Sequence, residues 1–321
     1  MITTENLCKK YNRVDAVRDL NLFVREGTVF GFVGENGAGK TTTLAILATL
    51  TLPTSGRAFV GGAEVATEPQ SVRRMIGYMP DAFGVYDDLT VAEFLAFYGT
   101  VYGLSAHVIE RRARELLALV NLSDKVDAYV NALSRGMQQR LGVARSLMHD
   151  PPVLILDEPA SGLDPRSRIE MRELIKNLRN EHKTVLISSH ILPELAEMCD
   201  EIGVIARGSL VACAAVDVVT ARASGQRELA FDVLSGGREL ADKLAAAERV
   251  TEIVARNERT VRVLYAGTDR DQARLVQELV LAGHPLLGIR EVGGSLEDLF
   301  LRLTDSGEAE ASASNATTQG V

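Results

Sequence analysis

Nowhere in the 321-residue chain do about 18 apolar residues run together, so no helix is expected to span a bilayer. The opening segment, MITTENLCKK, lacks the apolar stretch of a secretory signal. Cysteine is scarce. Cys8, Cys199 and Cys213 form no close pair with metal or redox spacing, which points to buried or semi-buried thiols in a reducing cytosol. Nor is there an excess of positive charge: 35 basic against 43 acidic side chains give a net charge of −8. That balance argues against a general nucleic-acid coat, and no nucleic-acid partner is expected. No solenoid-type repeat is visible. What is present, 46% apolar and 24% charged residues, is an ordinary globular balance, and the length allows about two domains. A soluble, cytoplasmic protein is expected.

The first 220 or so residues alternate short β-rich runs with amphipathic helical runs, the pattern of an α/β domain with a largely parallel sheet. Thr28 to Val33, Val153 to Leu156 and Thr184 to Ser188 read as buried strands, and Thr41 to Leu50 as a helix. Asp164 and Pro165 supply an N-cap followed by proline at the first helical position, and Ile169, Leu174 and Leu178 give the helix they start its apolar face. Ile2 to Leu7 and Leu20 to Arg25 suggest a smaller antiparallel layer, and Ser105 caps a helix running to about Val120. After a composition shift near 223–226, the pattern predicts strand 227–234, helix 237–247, strands 249–255 and 259–265, helix 269–283 and strand 286–291. That order is the split β-α-β-β-α-β, ferredoxin-like unit. The expected domains are 1–222 and 226–305, closed by an amphipathic helix from Leu296 to Leu303. A small, polar tail, 306–321, is expected to be disordered.

Gly34-Glu35-Asn36-Gly37-Ala38-Gly39-Lys40-Thr41 matches G-x-x-x-x-G-K-[ST], with a strand before it and a helix after it that continues through Thr42. The glycines let backbone N–H groups turn inward around a β-phosphate, and the helix N-terminus adds partial positive charge. Lys40 can reach the β- and γ-phosphates, and the Thr41 hydroxyl can bind Mg²⁺. The chain is therefore expected to bind a nucleoside triphosphate, although this loop alone does not separate kinases, GTPases, helicases and transport ATPases. Val153 to Leu156 is an apolar run that ends in Asp157 and Glu158. Ligands of open α/β sheets collect at the carboxyl ends of strands, so Asp157 is expected to face the phosphate loop and hold Mg²⁺. Glu158 can take a proton from the attacking water.

Leu133-Ser134-Arg135-Gly136-Met137-Gln138-Gln139-Arg140 resembles the signature motif of the ATPase subunits of ABC transporters, and the resemblance covers about residues 1–220. It implies a P-loop ABC-type ATPase domain: a parallel-sheet core, an antiparallel β layer and a helical subdomain. It further implies that Ser134, Gly136 and Met137 hold the γ-phosphate of an ATP on the opposite subunit, so that two chains, identical or related, sandwich two nucleotides head to tail. Ser161-Gly162-Leu163-Asp164 resembles the family's interface-crossing loop, with Asp164 in it. His190 resembles the switch histidine that contacts the γ-phosphate, and Tyr11 stands where these ATPases place a ring against adenine. Two departures stand out. Arg135 and Met137 replace a glycine and a glutamine of the usual signature, and Asp81 stands where most of the family has a glutamine that approaches Mg²⁺ and the attacking water. Asp81 is thus a further candidate Mg²⁺ ligand, one methylene shorter and charged.

LSRGMQQR, SGLDPRSR, SSHILPELAEMCDEI and the closing SLEDLF look like drug-resistance and related ABC-2 exporter ATPases. This implies a separately encoded polytopic permease, a location on the cytoplasmic face of the membrane, and a drug, antibiotic, lipid or similar small molecule as cargo. The aromatic-rich stretch from Ala82 to Tyr102 offers a groove for that permease or, equally, fills the helical subdomain's core. A soluble ABC-type ATPase acting on ribosomes or DNA is the alternative. The single phosphate loop and the lack of sustained heptads between Lys40 and Leu133 speak against it.

Overall fold

In the computed structural model, residues 1–81, 84, 88–216 and 227–291 are described. They divide into two compact units, with the break between Ala215 and Val216. The closing helix 296–303, the tail, the 222–226 boundary, Phe83 and Tyr86 lie outside the described residues.

The first unit is built around three buried strands, β3 (Val29–Val33), β7 (Val153–Asp157) and β8 (Thr184–Ser189), each buried at every position. Continuous apolar runs of this kind belong in the middle of a parallel sheet covered on both faces. The order of this six-stranded sheet is β10-β9-β3-β8-β7-β6, with β6 (Ile76–Met79), β9 (Glu201–Ala206) and β10 (Ser209–Ala215) completing it. Only β10 runs antiparallel to its neighbour. A second, antiparallel sheet has the order β2-β1-β4-β5, made of β1 (Ile2–Tyr11), β2 (Val14–Val24), β4 (Ser55–Val60) and β5 (Ala63–Glu64). Strands β1 and β2 are longer than the apolar pattern predicts. Their facing ends, Lys9 to Tyr11 and Val14 to Val17, pair across a turn at Asn12, whose φ of 49° suits asparagine.

Helix α1 (Lys40–Leu47) contacts both sheets, with Leu44, Ile46 and Leu47 fully buried in a core shared with Leu20, Phe30, Val60 and Ile155. The short α2 (Pro69–Met75) precedes β6. The helical subdomain consists of α3 (Val91–Val101), α4 (Ala106–Leu119) and α5 (Arg135–Ser146) packed on one another. Thr90 and Glu93 close α3 with a reciprocal capping box. Helix α6 (Pro165–Asn180) buries Met171, Leu174, Ile175 and Leu178, and α7 (Leu192–Ala196) follows β8. Ile169 departs from expectation: it is 51% exposed, because the buried stripe begins at Met171.

The second unit is an antiparallel sheet of order β12-β13-β11-β14, formed by β11 (Arg227–Val233), β12 (Val250–Arg256), β13 (Thr260–Tyr265) and β14 (Leu286–Glu291). Helices α8 (Gly237–Ala245) and α9 (Asp269–Leu281) bury Leu240, Leu244, Leu275 and Leu279 against Phe231, Val261 and Val263. Element order and sheet order are those of a ferredoxin-like unit. Asn257 makes the β12–β13 turn: its Oδ1 accepts the N–H groups of Arg259 and Thr260 at 2.9 and 2.7 Å.

Candidate functional site

The strand order brings the carboxyl ends of β3, β8 and β7 side by side, the place where open α/β sheets gather ligands. The phosphate-loop sequence leaves the end of β3. Glu35, Asn36 and Gly37 form its exposed rim, whereas Ala38, Gly39 and Lys40 are buried. Gly37 and Gly39 have φ of 84° and 108°, a region that L side chains adopt only at a cost. A Cβ on Gly39 would lie 2.4 Å from the Ala16 carbonyl oxygen, and one on Gly34 equally close to that of Ile205. The loop is also braced from behind, since Gly208 N–H donates to the Ala38 carbonyl at 2.8 Å. Thr41 is exposed and Thr42 half-buried at the start of α1. The Lys40 ammonium folds into the loop, donating to the Gly34 carbonyl at 2.6 Å and lying 3.4 Å from Glu158 Oε1.

Asp157 and Glu158 end β7 as expected. Asp157 is 1% exposed, and its Oδ2 is buried without a hydrogen-bond partner. Burial pushes its carboxyl above the usual carboxylate range. The Ser188 and Thr41 hydroxyls oppose that rise, and the charges of Glu158 and Asp81 add to it. An orphaned buried carboxylate oxygen beside a threonine hydroxyl suits Mg²⁺, which takes one or two protein oxygens together with nucleotide phosphates and keeps several waters. Among the described residues no cluster of three His, Cys, Asp or Glu side chains forms a self-contained metal cage. Asp81 is exposed just beyond β6, near enough for its charge to act on Asp157 and Tyr78.

Glu158 takes φ of 50°, and its two oxygens are divided. Oε1 faces Lys40, and Oε2 lies 2.9 Å from His190 Nδ1. Beyond His190, Glu194 pairs with Arg168 at 3.1 Å, and burial raises its carboxyl against the pull of Arg168 and His190. The sequence reading did not single out Glu194 or Ser188. The available signal for Ser188 was a hydroxyl closing the apolar run Val185 to Ile187, one strand away from Asp157.

Ser134, Gly136, Met137 and Asp164 form a second group. Ser134 caps α5, with Oγ accepting the Met137 N–H at 3.4 Å. A Cβ on Gly136 would meet Ser167 Oγ at 2.3 Å, and one on Gly162 would meet the Arg135 guanidinium at 2.7 Å. Asp164 caps α6 through Arg166 and Ser167 N–H at 3.0 and 3.1 Å, and the Ser167 hydroxyl holds its carboxyl below the usual range. No described hydrogen bond or ion pair joins Ser134, Gly136 or Asp164 to the phosphate loop. Tyr11 is 45% exposed, with the Lys9 ammonium 4.9 Å from its ring centre. It sits at the turn of the β1–β2 hairpin that also carries Ala16, the residue packed against Gly39.

The "ABC transporter" family model matches residues 17–161. A linearmycin resistance ATP-binding protein of Bacillus subtilis is 30% identical over 95% of this chain and 98% of its own length. The chain belongs to the ABC transporter family, among its ATP-binding proteins. The Nod factor export ATP-binding protein I of Ralstonia nicotianae is 36% identical over 95% of this chain and 94% of its own length. Among solved structures, a dimeric ATP-binding cassette in a post-hydrolysis state bound to ADP and Pi superposes with a TM-score of 0.62. It is 26% identical and covers 67% of this chain and 99% of its own. This ABC protein is an ATPase, and the cassettes of its family bind ATP, use Mg²⁺ and dimerise. Among the described residues no helix is long and apolar enough to cross a membrane.

Proposed function

We propose that this ABC ATPase is the energy-coupling subunit of a membrane exporter, working as a head-to-tail dimer on the cytoplasmic face of the membrane beside a separate polytopic permease. The observation that carries the reading is similarity over nearly the full length, second unit included, to proteins named for linearmycin resistance and Nod factor export. The cargo class that follows is a drug, antibiotic, lipid or similar small molecule.

In this reading the loop from Gly34 to Thr42 wraps the phosphates and offers them backbone N–H groups, the Gly34 N–H being given instead to the Ser189 carbonyl, and Lys40 leaves Glu158 for the β- and γ-phosphates. Thr41 and Asp157 would hold Mg²⁺, with Asp81 a further candidate ligand, and the ion would neutralise charge on the phosphate oxygens. Glu158 accepts the proton of the attacking water, and His190 keeps that carboxylate aimed while reaching for the γ-phosphate. The first turn of α5, at Ser134, Gly136 and Met137, turns the positive end of the helix toward the nucleotide of the opposite subunit. The loop ending in Asp164 crosses beside it, and Tyr11 covers the adenine. Closure on ATP and reopening on hydrolysis would move the permease between two states.

A cleft of about 300 Å³ between the sheet and the helical subdomain suits a permease helix, being lined by Leu50, Ile76, Tyr78, Tyr98, Val101 and Tyr102. Arg145 fixes its wall, donating to the Tyr78 carbonyl at 2.7 Å and lying 5.0 Å from the Tyr98 ring centre. Phe94 belongs instead to the core.

The test is Glu158→Gln, tagged and isolated with ATP from detergent-solubilised cells. Turnover should fall by at least about 10²-fold while ATP affinity is kept and a closed dimer is trapped. A polytopic membrane protein should co-purify at near-equal stoichiometry. Recovery of ribosomes or DNA-bound proteins instead would overturn the exporter reading, and turnover at the wild-type rate would overturn the role of Glu158.

A further inference from the structure

Ser188 is fully buried at the end of β8 and stands in register opposite Asp157 across the parallel pair β7–β8. Its hydroxyl makes two bonds with opposite polarity. The single proton goes to Asp157 Oδ1 at 2.5 Å, and the oxygen accepts the Glu158 N–H at 2.9 Å. A serine hydroxyl is one donor with two acceptor lone pairs, so both bonds coexist without a change of rotor.

These two bonds act on the two carboxylates at once. Asp157 Oδ1 is occupied, which leaves Oδ2 as the buried oxygen without a partner and fixes which way the carboxylate plane faces. Glu158 leaves the strand at φ of 50°, and in that left-handed turn its N–H is met by a side chain, Ser188 Oγ. The same bond therefore holds the peptide whose kink sends the Glu158 carboxylate between Lys40 and His190. Neither an alanine nor a valine at 188 could do either, and a buried N–H and a buried carboxylate oxygen would both lose their partner.

We propose that Ser188 is a positioning residue for hydrolysis, setting the Asp157 oxygen offered to Mg²⁺ and the backbone turn that aims Glu158. This rests on the roles given to Asp157 and Glu158 under Proposed function. Ser188 itself touches neither nucleotide nor water; it acts through its two neighbours, as the outer hydrogen-bond partners of metal ligands do.

The experiment compares Ser188→Thr with Ser188→Val in the full chain, a pair of nearly the same shape that differs in the hydroxyl. Three quantities are read: affinity for ATP with metal chelated, affinity for Mn²⁺ in the presence of a non-hydrolysable ATP analogue by electron paramagnetic resonance, and kcat against KM. Metal-free ATP affinity should be unchanged in both variants, since the phosphate loop is untouched. Val should weaken Mn²⁺ binding and lower kcat, each by about 10–100-fold, with KM little moved, and Thr should restore both to within about threefold. Equal Mn²⁺ affinity and equal kcat in Thr and Val would overturn the proposal and reduce Ser188 to a packing residue. Loss in both variants of metal-free ATP affinity would overturn it as well, by showing that the site is disturbed through shape. If the wild type binds Mn²⁺ with the analogue yet the Glu158→Gln variant retains full turnover, it is the underlying reading of Glu158 that fails instead.

Discussion

Lys40 and Glu158 are ion-paired across the phosphate loop, Nζ to Oε1 at 3.4 Å, with side chains only 5% and 11% exposed. The residue expected to meet phosphate and the residue expected to activate water thus neutralise each other. Each has a second partner, Gly34 carbonyl for the ammonium and His190 for the carboxylate. Phosphate oxygens would draw the ammonium away and leave Glu158 with His190 alone, so that nucleotide binding would also release the carboxylate proposed as the base.

Lys40→Ala removes the charge that phosphate would recruit. Hydrogen bonds to charged groups are worth about 1.5–3 kcal/mol, so ATP affinity should fall by roughly 10–100-fold in calorimetric titration. Unchanged affinity would sink the phosphate-loop assignment.

His190→Ala takes away the second support of Glu158. Metal-free ADP affinity should survive, because ADP lacks the γ-phosphate and the imidazole contacts none of the loop in the described hydrogen bonds. Steady-state turnover should drop by about 10²-fold with KM nearly constant. A variant with wild-type kcat would show that Glu158 needs no aiming from this side.

Two glycines of one loop should respond differently to alanine. At Gly37 a Cβ meets nothing within 4 Å, so Gly37→Ala carries only the cost of its positive φ, about 1 kcal/mol. At Gly39 the same φ problem is joined by a backbone oxygen 2.4 Å away. Gly39→Ala should therefore cost on the order of 2–3 kcal/mol, read as a larger drop in thermal midpoint, and should raise the dissociation constant for ATP. Equal midpoints for the two variants would mean that the Ala16 contact yields freely.

Asp150 joins distant parts of the first unit, meeting Lys183 Nζ at 2.7 Å and Arg112 Nη2 at 3.3 Å. The Lys183 contact holds its carboxyl below the usual range. A depressed folded pKa contributes stability that is present above the unfolded value, about 3.9, and lost as pH falls through the folded one. Asp150→Asn keeps a residue that tolerates φ of 55° and removes only the charge. The wild type should be more stable near pH 7 by about 0.2–1 kcal/mol, discounted for solvent screening, and the two melting curves should converge below about pH 3. A gap that persists in acid would point to geometry instead of charge.

The central strands were readable because their burial on both faces writes continuous apolar runs, as in VLIL before Asp157, and the phosphate loop because its glycines and lysine are contiguous. The Asp164 cap was readable for a similar reason, since it is a local event. What escaped depended on neighbours far apart in sequence. The end of β1 and the start of β2 pair with each other across the Asn12 turn, a contact that the apolar pattern of each alone does not show. Ile169 is apolar at helical spacing yet exposed, and nothing local marks where the buried stripe of α6 begins. Ser188 and Glu194 gain meaning from Asp157 and His190 across a strand or a turn, a relation that spacing along the chain does not encode.

Gly208, in the turn between β9 and β10, donates to the Ala38 carbonyl and accepts from the Arg18 N–H, both at 2.8 Å. The phosphate loop, finished early in synthesis, is thus backed by a turn made some 170 residues later. Because domains fold as units during translation, a nascent chain still short of that turn carries the loop's sequence without its back wall. The back wall of the loop is then complete only late on the ribosome, almost with the last strand of the ATPase unit.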